Sequence, residues 1–144
     1  MESVVITGAN GFIGSNLCKY FLDRSYEVHA MVRPTSDLHF LEGLPVNVIQ
    51  VDLSKPDSIR LPPRIDYIIH AASMVSDLAS SKSVLRNIRD ATVNLVTHLR
   101  DRGIALKRFI FISSTLVLGY GAREISEARP GRSAWRRTGR TSRS

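Results

Sequence analysis

The sequence predicts an α/β fold, a parallel sheet of about five strands with flanking helices, incomplete at its C-terminal side. Three observations predict it. Short β-branched and apolar runs alternate with segments of helical period, the pattern of right-handed strand–helix–strand crossovers. The first run enters a turn with three glycines spaced three apart and then an amphipathic stretch. Later runs such as Tyr67-Ile68-Ile69 and Phe109-Ile110-Phe111-Ile112 are apolar at every position, as strands covered on both faces must be.

The opening run Ser3-Val4-Val5-Ile6-Thr7 reads as a strand at 2–7, and the stripe Ile13, Leu17 and Phe21 marks a helix over 11–24. A second strand follows at 26–32, closing a βαβ unit. The pattern then predicts a helix over 36–42, a strand at 46–51, a short turn or helical piece at 56–61 and a strand at 66–70. A helix over 83–102 and a strand at 107–112 complete the series. Pro45 and Pro62-Pro63 punctuate connections. Ligand is expected across the carboxyl ends of the strands, where Gly8, Val32, Asp52, Ala71 and Ser114 converge.

The glycines have separable tasks. Gly8 lets the chain turn sharply off the strand, Gly11 has no Cβ to hold a pyrophosphate away from the backbone, and Gly14 allows the helix to approach the strand. The first N–H groups of the helix have no intrahelical acceptor, and the helix dipole is positive there, so an anion satisfies both. The strand before and the helix after the turn point to a dinucleotide, although glycines also end strands for purely steric reasons.

With 43% hydrophobic residues the 144-residue chain can build one core. No stretch has the length and apolarity of a membrane span, and no basic region precedes the first strand as in a signal peptide. The single cysteine, Cys18, reads as a small buried filler in the first helix. Together these suggest a cytoplasmic address. The formal charge of +7 is unevenly distributed: residues 1–122 carry 13 Lys and Arg against 11 Asp and Glu, whereas residues 123–144 carry 7 Arg against 2 Glu. Domain boundaries are therefore expected at 1–122 for the folded part and 123–144 for an Arg-rich tail without period.

The pattern Thr7-Gly8-x-x-Gly11-Phe12-Ile13-Gly14 resembles the extended short-chain dehydrogenase/reductase family, which includes NAD(P)-dependent sugar-nucleotide epimerases and dehydratases and dihydroflavonol-type reductases. Three later segments agree. Val51-Asp52-Leu53 is similar to the strand-end Asp-Leu that contacts adenine, and His70-Ala71-Ala72-Ser73 to the strand end lining the cofactor cleft. Phe109 to Gly119 resembles the fifth strand and its Ser/Thr-bearing end. The resemblance covers residues 1–127 and implies a Rossmann-type domain binding NAD(P). It assigns cofactor contacts to Gly8, Asn10, Gly11, Phe12, Ile13, Gly14, Asp52, Leu53, Ala71 and Ala72, and the substrate-oxygen hydrogen bond to Ser114, with Thr115 as second choice.

Relatives that use NAD carry an acidic residue at the end of the second strand to accept from the ribose hydroxyls. Here Val32 and Arg33 stand there. An Arg beside the ribose favours the extra phosphate of NADP(H), with NAD(H) as the alternative cofactor, and Arg33 as a solvated strand-end charge is the plainer reading. The alternative for Asp52 is a turn residue, and for Ser114 an ordinary strand-terminating hydroxyl; the motif matches favour the cofactor and substrate roles. His70 reads as a packed or hydrogen-bonded core residue with no catalytic role. In the helix before the fifth strand, Thr92 and Asn94 align with the family, whereas Ile88 stands where an Asn is usual and Asn87 is one place off.

The family's proton-handling Tyr-x-x-x-Lys pair is absent from these residues: none of Tyr20, Tyr26, Tyr67 and Tyr120 has a Lys four positions on, and Lys107 is the last lysine. Acid–base catalysis of this kind contributes about 10²-fold to 10⁴-fold. After Ile125-Ser126-Glu127 the composition jumps to Arg, Gly, Ser, Thr and Trp, which suggests an interrupted reading frame or a short protein with a disordered tail. Seven arginines with one aromatic argue weakly for nucleic acid. The sequence thus predicts a dinucleotide-binding fragment of an enzyme whose intact relative acts on a small-molecule substrate, without catalytic competence of its own. The rival is a non-catalytic NADP-responsive module. An apolar fifth strand at the sheet edge invites homodimerisation or aggregation.

Overall fold

The computed structural model describes residues 1–72 and 81–113, without side chains for 81–86. Residues Met1–Ile112 form one compact unit. Five strands, β1 (Ser3–Thr7), β2 (Glu27–Val32), β3 (Asn47–Gln50), β4 (Tyr67–His70) and β5 (Arg108–Phe111), make a single sheet in the order β3-β2-β1-β4-β5. All neighbours are parallel. Thr7 stands opposite both Met31 and His70, so the strands end together along one edge of the sheet.

Two helices, α1 (Phe12–Leu22) and α2 (Ser81–Asp101), supply the cover. The two-residue period of the strands divides the core between them. Val4, Ile6, Val28, Ala30, Val32 and Ile69 face one way, where they bury with Cys18 of α1. Val5, Met31 and Ile68 face the other, against Leu95 and Leu99 of α2. Covering both faces explains the consecutive apolar residues Val4-Val5-Ile6 of β1, Ala30-Met31-Val32 of β2 and Tyr67-Ile68-Ile69 of β4. β5 departs from the expected cover on both faces. Among the described residues it is the edge strand; Phe109 packs inward, but Ile110 and Phe111 are nearly half exposed.

The helix expected over 36–42 is a single 3₁₀ turn, His39–Leu41. Asp37 Oδ1 accepts from the His39 N–H at 2.9 Å, a local side-chain bond that competes with helix formation. Leu41 alone of this turn is buried, joining the α1-side core, and Gly43 follows with φ +73°. The piece expected at 56–61 is likewise a 3₁₀ turn, Pro56–Ser58. The other elements lie within a few residues of their predicted bounds.

At the amino-terminal ends of the strands a charged clamp joins β1, β4 and β5. Lys107 Nζ pairs with Glu2 and lies 3.0 Å from Asp66 Oδ1, while Asp66 Oδ2 accepts from the Ser3 N–H at 2.9 Å. The hydroxyl of Tyr67 donates to the Glu2 carboxylate at 3.2 Å. The hydrogen bond from Lys107 holds the Glu2 carboxyl below its usual range. The Ser3 N–H, then Lys107, do the same for Asp66, and both carboxylates push the Lys107 ammonium up.

Candidate functional site

The carboxyl ends of the strands are built differently. β1 ends at Thr7, and Gly8 turns the chain with φ +66°, a conformation that side chains disfavour. A Cβ on Gly8 would also stand 2.8 Å from Ala72 Cα and 2.9 Å from Ala72 N, so the turn lies directly against the backbone that leaves β4. Gly14 is under a stricter demand. A Cβ there would meet Gly8 O at 2.2 Å and Ala9 Cα at 2.7 Å, which means that the first turn of α1 rests on the peptide of the glycine turn itself. Gly11, in contrast, leaves only Gly8 O at 3.3 Å near a Cβ position.

Gly11 is the N-cap of α1 with no side-chain cap, and the first turn holds no acidic residue. Its own N–H is taken by Gly8 O at 3.0 Å, and the first intrahelical bond runs from the Ser15 N–H to Gly11 O at 2.9 Å. The N–H groups of Phe12, Ile13 and Gly14 are then the donors that helix geometry leaves over, at the positive end of the dipole. Phe12 and Ile13 expose their side chains, Asn10 is half-buried, and Ala9 is buried beneath them.

The remaining predicted residues stand along the same edge. Arg33 is exposed just beyond the last residue of β2, and the Val32 carbonyl accepts from the Val51 N–H at 2.8 Å, which brings Asp52 up beside it. Asp52 makes the turn that the plainer reading described: Oδ1 accepts from Ser54 Oγ at 2.6 Å and from the Ser54 N–H at 3.0 Å. Ser54, then Lys55 and Arg33, draw the Asp52 carboxyl below its usual pKa. Leu53 is buried, and its carbonyl accepts from Asn94 Nδ2 of α2 at 2.9 Å. Gly8, Gly11, Gly14, Ala71 and Ala72 thus gather at the β1–β4 junction, and Arg33, Asp52 and Leu53 beyond β2 and β3. Ser114 and Thr115 lie outside the described residues, as do 123–144.

A histidine read from the sequence as a packed or hydrogen-bonded core residue stands in the middle of the site. His70, buried at the end of β4, places Nδ1 2.7 Å from Thr7 Oγ1 and Nε2 2.9 Å from Thr92 Oγ1 of α2. Thr7 Oγ1 also accepts from the Ala72 N–H at 3.0 Å, and Thr92 Oγ1 donates to the Ile88 carbonyl at 2.9 Å. Burial lowers the His70 pKa, which favours the neutral ring. Helical spacing gave no signal for this set, because its members lie 63 and 22 positions apart.

Among the described residues there is no group of three or more acidic, His or Cys side chains fit for a metal, and no helix long and apolar enough to cross a membrane.

Comparison with known proteins gives the same picture. The NAD dependent epimerase/dehydratase family matches residues 4–136. The chain is 33% identical over 126 residues to the UDP-glucose 4-epimerase of Vibrio cholerae, covering 83% of this chain and 37% of that one. It is 29% identical over 115 residues to a putative dihydroflavonol 4-reductase of Synechocystis, covering 79% and 33%. Among solved structures, the UDP-glucose 4-epimerase from Bifidobacterium longum in complex with NAD+ and UDP superposes with a TM-score of 0.67 at 23% identity, over 90% of this chain and 42% of that one. The chain spans about a third of the length of the curated relatives it matches.

Proposed function

Since the chain belongs to the NAD dependent epimerase/dehydratase family, we propose that these 144 residues are its dinucleotide-binding part and that they hold NADP(H) in preference to NAD(H). One observation carries the reading: the uncapped amino end of α1 opens over a turn whose Gly8 and Gly14 leave no room for a Cβ, while Gly11 faces a gap. A pyrophosphate seated over Gly11 accepts from the N–H groups of Phe12 and Ile13, which need no side chain to act. Ala71 and Ala72 form the neighbouring wall. The Asp52 oxygen not used by Ser54 takes an adenine amino group, and Arg33 takes the ribose phosphate as a charge-assisted pair.

The bound dinucleotide would supply the hydride chemistry of the family, on a sugar nucleotide or a ketone or alcohol. Without a Tyr-x-x-x-Lys pair, these residues position the cofactor and turn over no substrate alone. A second reading, a non-catalytic NADP-responsive module, uses the same glycine turn. Titration calorimetry of the purified chain with NADPH and then NADH tests the proposal. It predicts binding of both with NADPH tighter, and Gly11→Asp should abolish both by setting bulk and negative charge against the phosphates. Arg33→Ala should cost NADPH about tenfold or more and NADH little, as loss of one charge-assisted bond implies. No binding by the folded parent chain overturns the reading; turnover of a UDP-sugar or a ketone by it overturns the loss of competence.

A further inference from the structure

One arrangement uses every donor and acceptor around His70. Thr92 has a single hydroxyl proton, and the Ile88 carbonyl takes it, so Thr92 Oγ1 can meet His70 Nε2 only as an acceptor. The proton of the neutral ring is therefore on Nε2. Nδ1 then has a lone pair, which receives the Thr7 hydroxyl, and Thr7 Oγ1 is left to accept from the Ala72 N–H. Every donor in the series points the same way on either side of the ring. Protonating Nδ1 would give Thr7 Oγ1 two incoming donors and turn its own proton away from the ring. The rings of Phe109 and Phe111 flank the imidazole at centroid distances of 6.2 and 5.6 Å, and the same residue's carbonyl accepts from the Ile112 N–H at 3.0 Å.

From this relay we infer that His70 is a positioning residue for the dinucleotide cleft: through Thr7 it fixes the Ala72 N–H, and through Thr92 it ties that wall to α2. Ala72 is the residue whose backbone lies within 2.9 Å of a Cβ position on Gly8, so the relay sets the width of the gap on which the glycine turn depends. The inference rests on the dinucleotide reading for its consequence, but not for its existence.

The test uses the full 144-residue chain, labelled with ¹⁵N. At pH 7 the two-bond ¹H–¹⁵N spectrum should show the Nε2–H tautomer alone. Thr92→Val, which keeps the shape and removes the acceptor, should give a mixture with Nδ1–H. His70→Phe, which keeps an aromatic ring in the same cluster and removes both nitrogens, should speed exchange of the Ala72 amide about fivefold to tenfold, the scale of one lost hydrogen bond, with the β1 amides of Val4 and Val5 unchanged. In the calorimeter it should weaken NADPH by a similar factor. An Nδ1–H tautomer in the parent, or Ala72 exchange unmoved in His70→Phe, overturns the relay. Faster exchange with unchanged NADPH affinity reduces His70 to a structural role. If the parent binds neither dinucleotide, the cofactor reading falls, and the tautomer and Ala72 exchange still decide whether the relay exists. Should His70→Phe fail to fold, the Thr92→Val spectrum and its Ala72 exchange decide alone.

Discussion

The two ends of the one sheet hold their strands together by different means. At the amino-terminal ends, charged side chains do the work: Lys107, Glu2, Asp66 and Tyr67 link β1, β4 and β5. At the carboxyl ends the side-chain links are the neutral Thr7–His70–Thr92 series, and beside it backbone lies on backbone, with Gly14 against the Gly8 peptide and Gly8 against Ala72. The contrast teaches where a ligand can be accepted. An end closed by paired charges has its polar groups satisfied from within, whereas an end assembled from glycines leaves helix donors to be satisfied from outside.

The sharpest way to break the contrast is at Gly14. Gly14→Ala places a methyl 2.2 Å from a carbonyl oxygen that cannot move without unseating the turn, so α1 must shift. We expect about 1–3 kcal/mol or more of destabilisation by urea unfolding, together with loss of NADPH binding. A stability equal to the parent's would mean that the two backbones are not in contact.

Next in size is acidification, which acts on the ligand end through His70. Its pKa is lowered by burial, so between that value and the ordinary one near 6.5 the unfolded chain binds a proton that the folded chain refuses. Stability is therefore complete above pH 7 and falls as the pH drops through 6.5, by at most about 1.4 kcal/mol per unit for each such histidine. His29 and His98 are lowered by burial too and add to the same slope, so His70→Phe should flatten the curve in part between pH 7 and 5.5. An unaltered slope in that variant would place the effect elsewhere.

The clamp end should respond in a different window. Glu2 and Asp66 are depressed, so their contribution is present above pH 4 and is lost as the pH falls through their folded values. Lys107→Met should lower the thermal midpoint at pH 7 by less than Gly14→Ala does, and should lessen the loss between pH 4 and pH 2. It should leave NADPH affinity unchanged.

The smallest effect is expected at Phe12. Its side chain is 79% exposed and its proposed contribution is a backbone N–H, so Phe12→Ala should stay within about 0.5 kcal/mol in stability. A large loss of NADPH affinity would show that the ring, not the peptide, holds the ligand.

The same contrast explains what could be read in advance. The glycine turn is local, and strand, turn and helix follow within twenty residues, so the steric tasks of Gly8 and Gly14 were legible from spacing and size. Burial on both faces was legible from the unbroken apolar run of β4, whereas the same kind of run in β5 is half exposed. The side-chain links were not. Lys107 reaches Glu2 across 105 positions, and Thr7 meets His70 across 63, and no periodicity carries information over such distances. The 36–42 segment misled because Leu38 and Leu41 have a helical spacing, while the Asp37 bond that cuts the turn short depends on a side-chain rotamer.

The position of β1 at the middle of the sheet also sets a timetable for synthesis. Its first neighbour, β2, follows at once, but Val4 pairs on its other side with Tyr67. At about 5–20 residues per second, the ribosome needs roughly 3–13 s to deliver that second partner. Until it arrives, a strand that ends buried at every position keeps one flank unpaired.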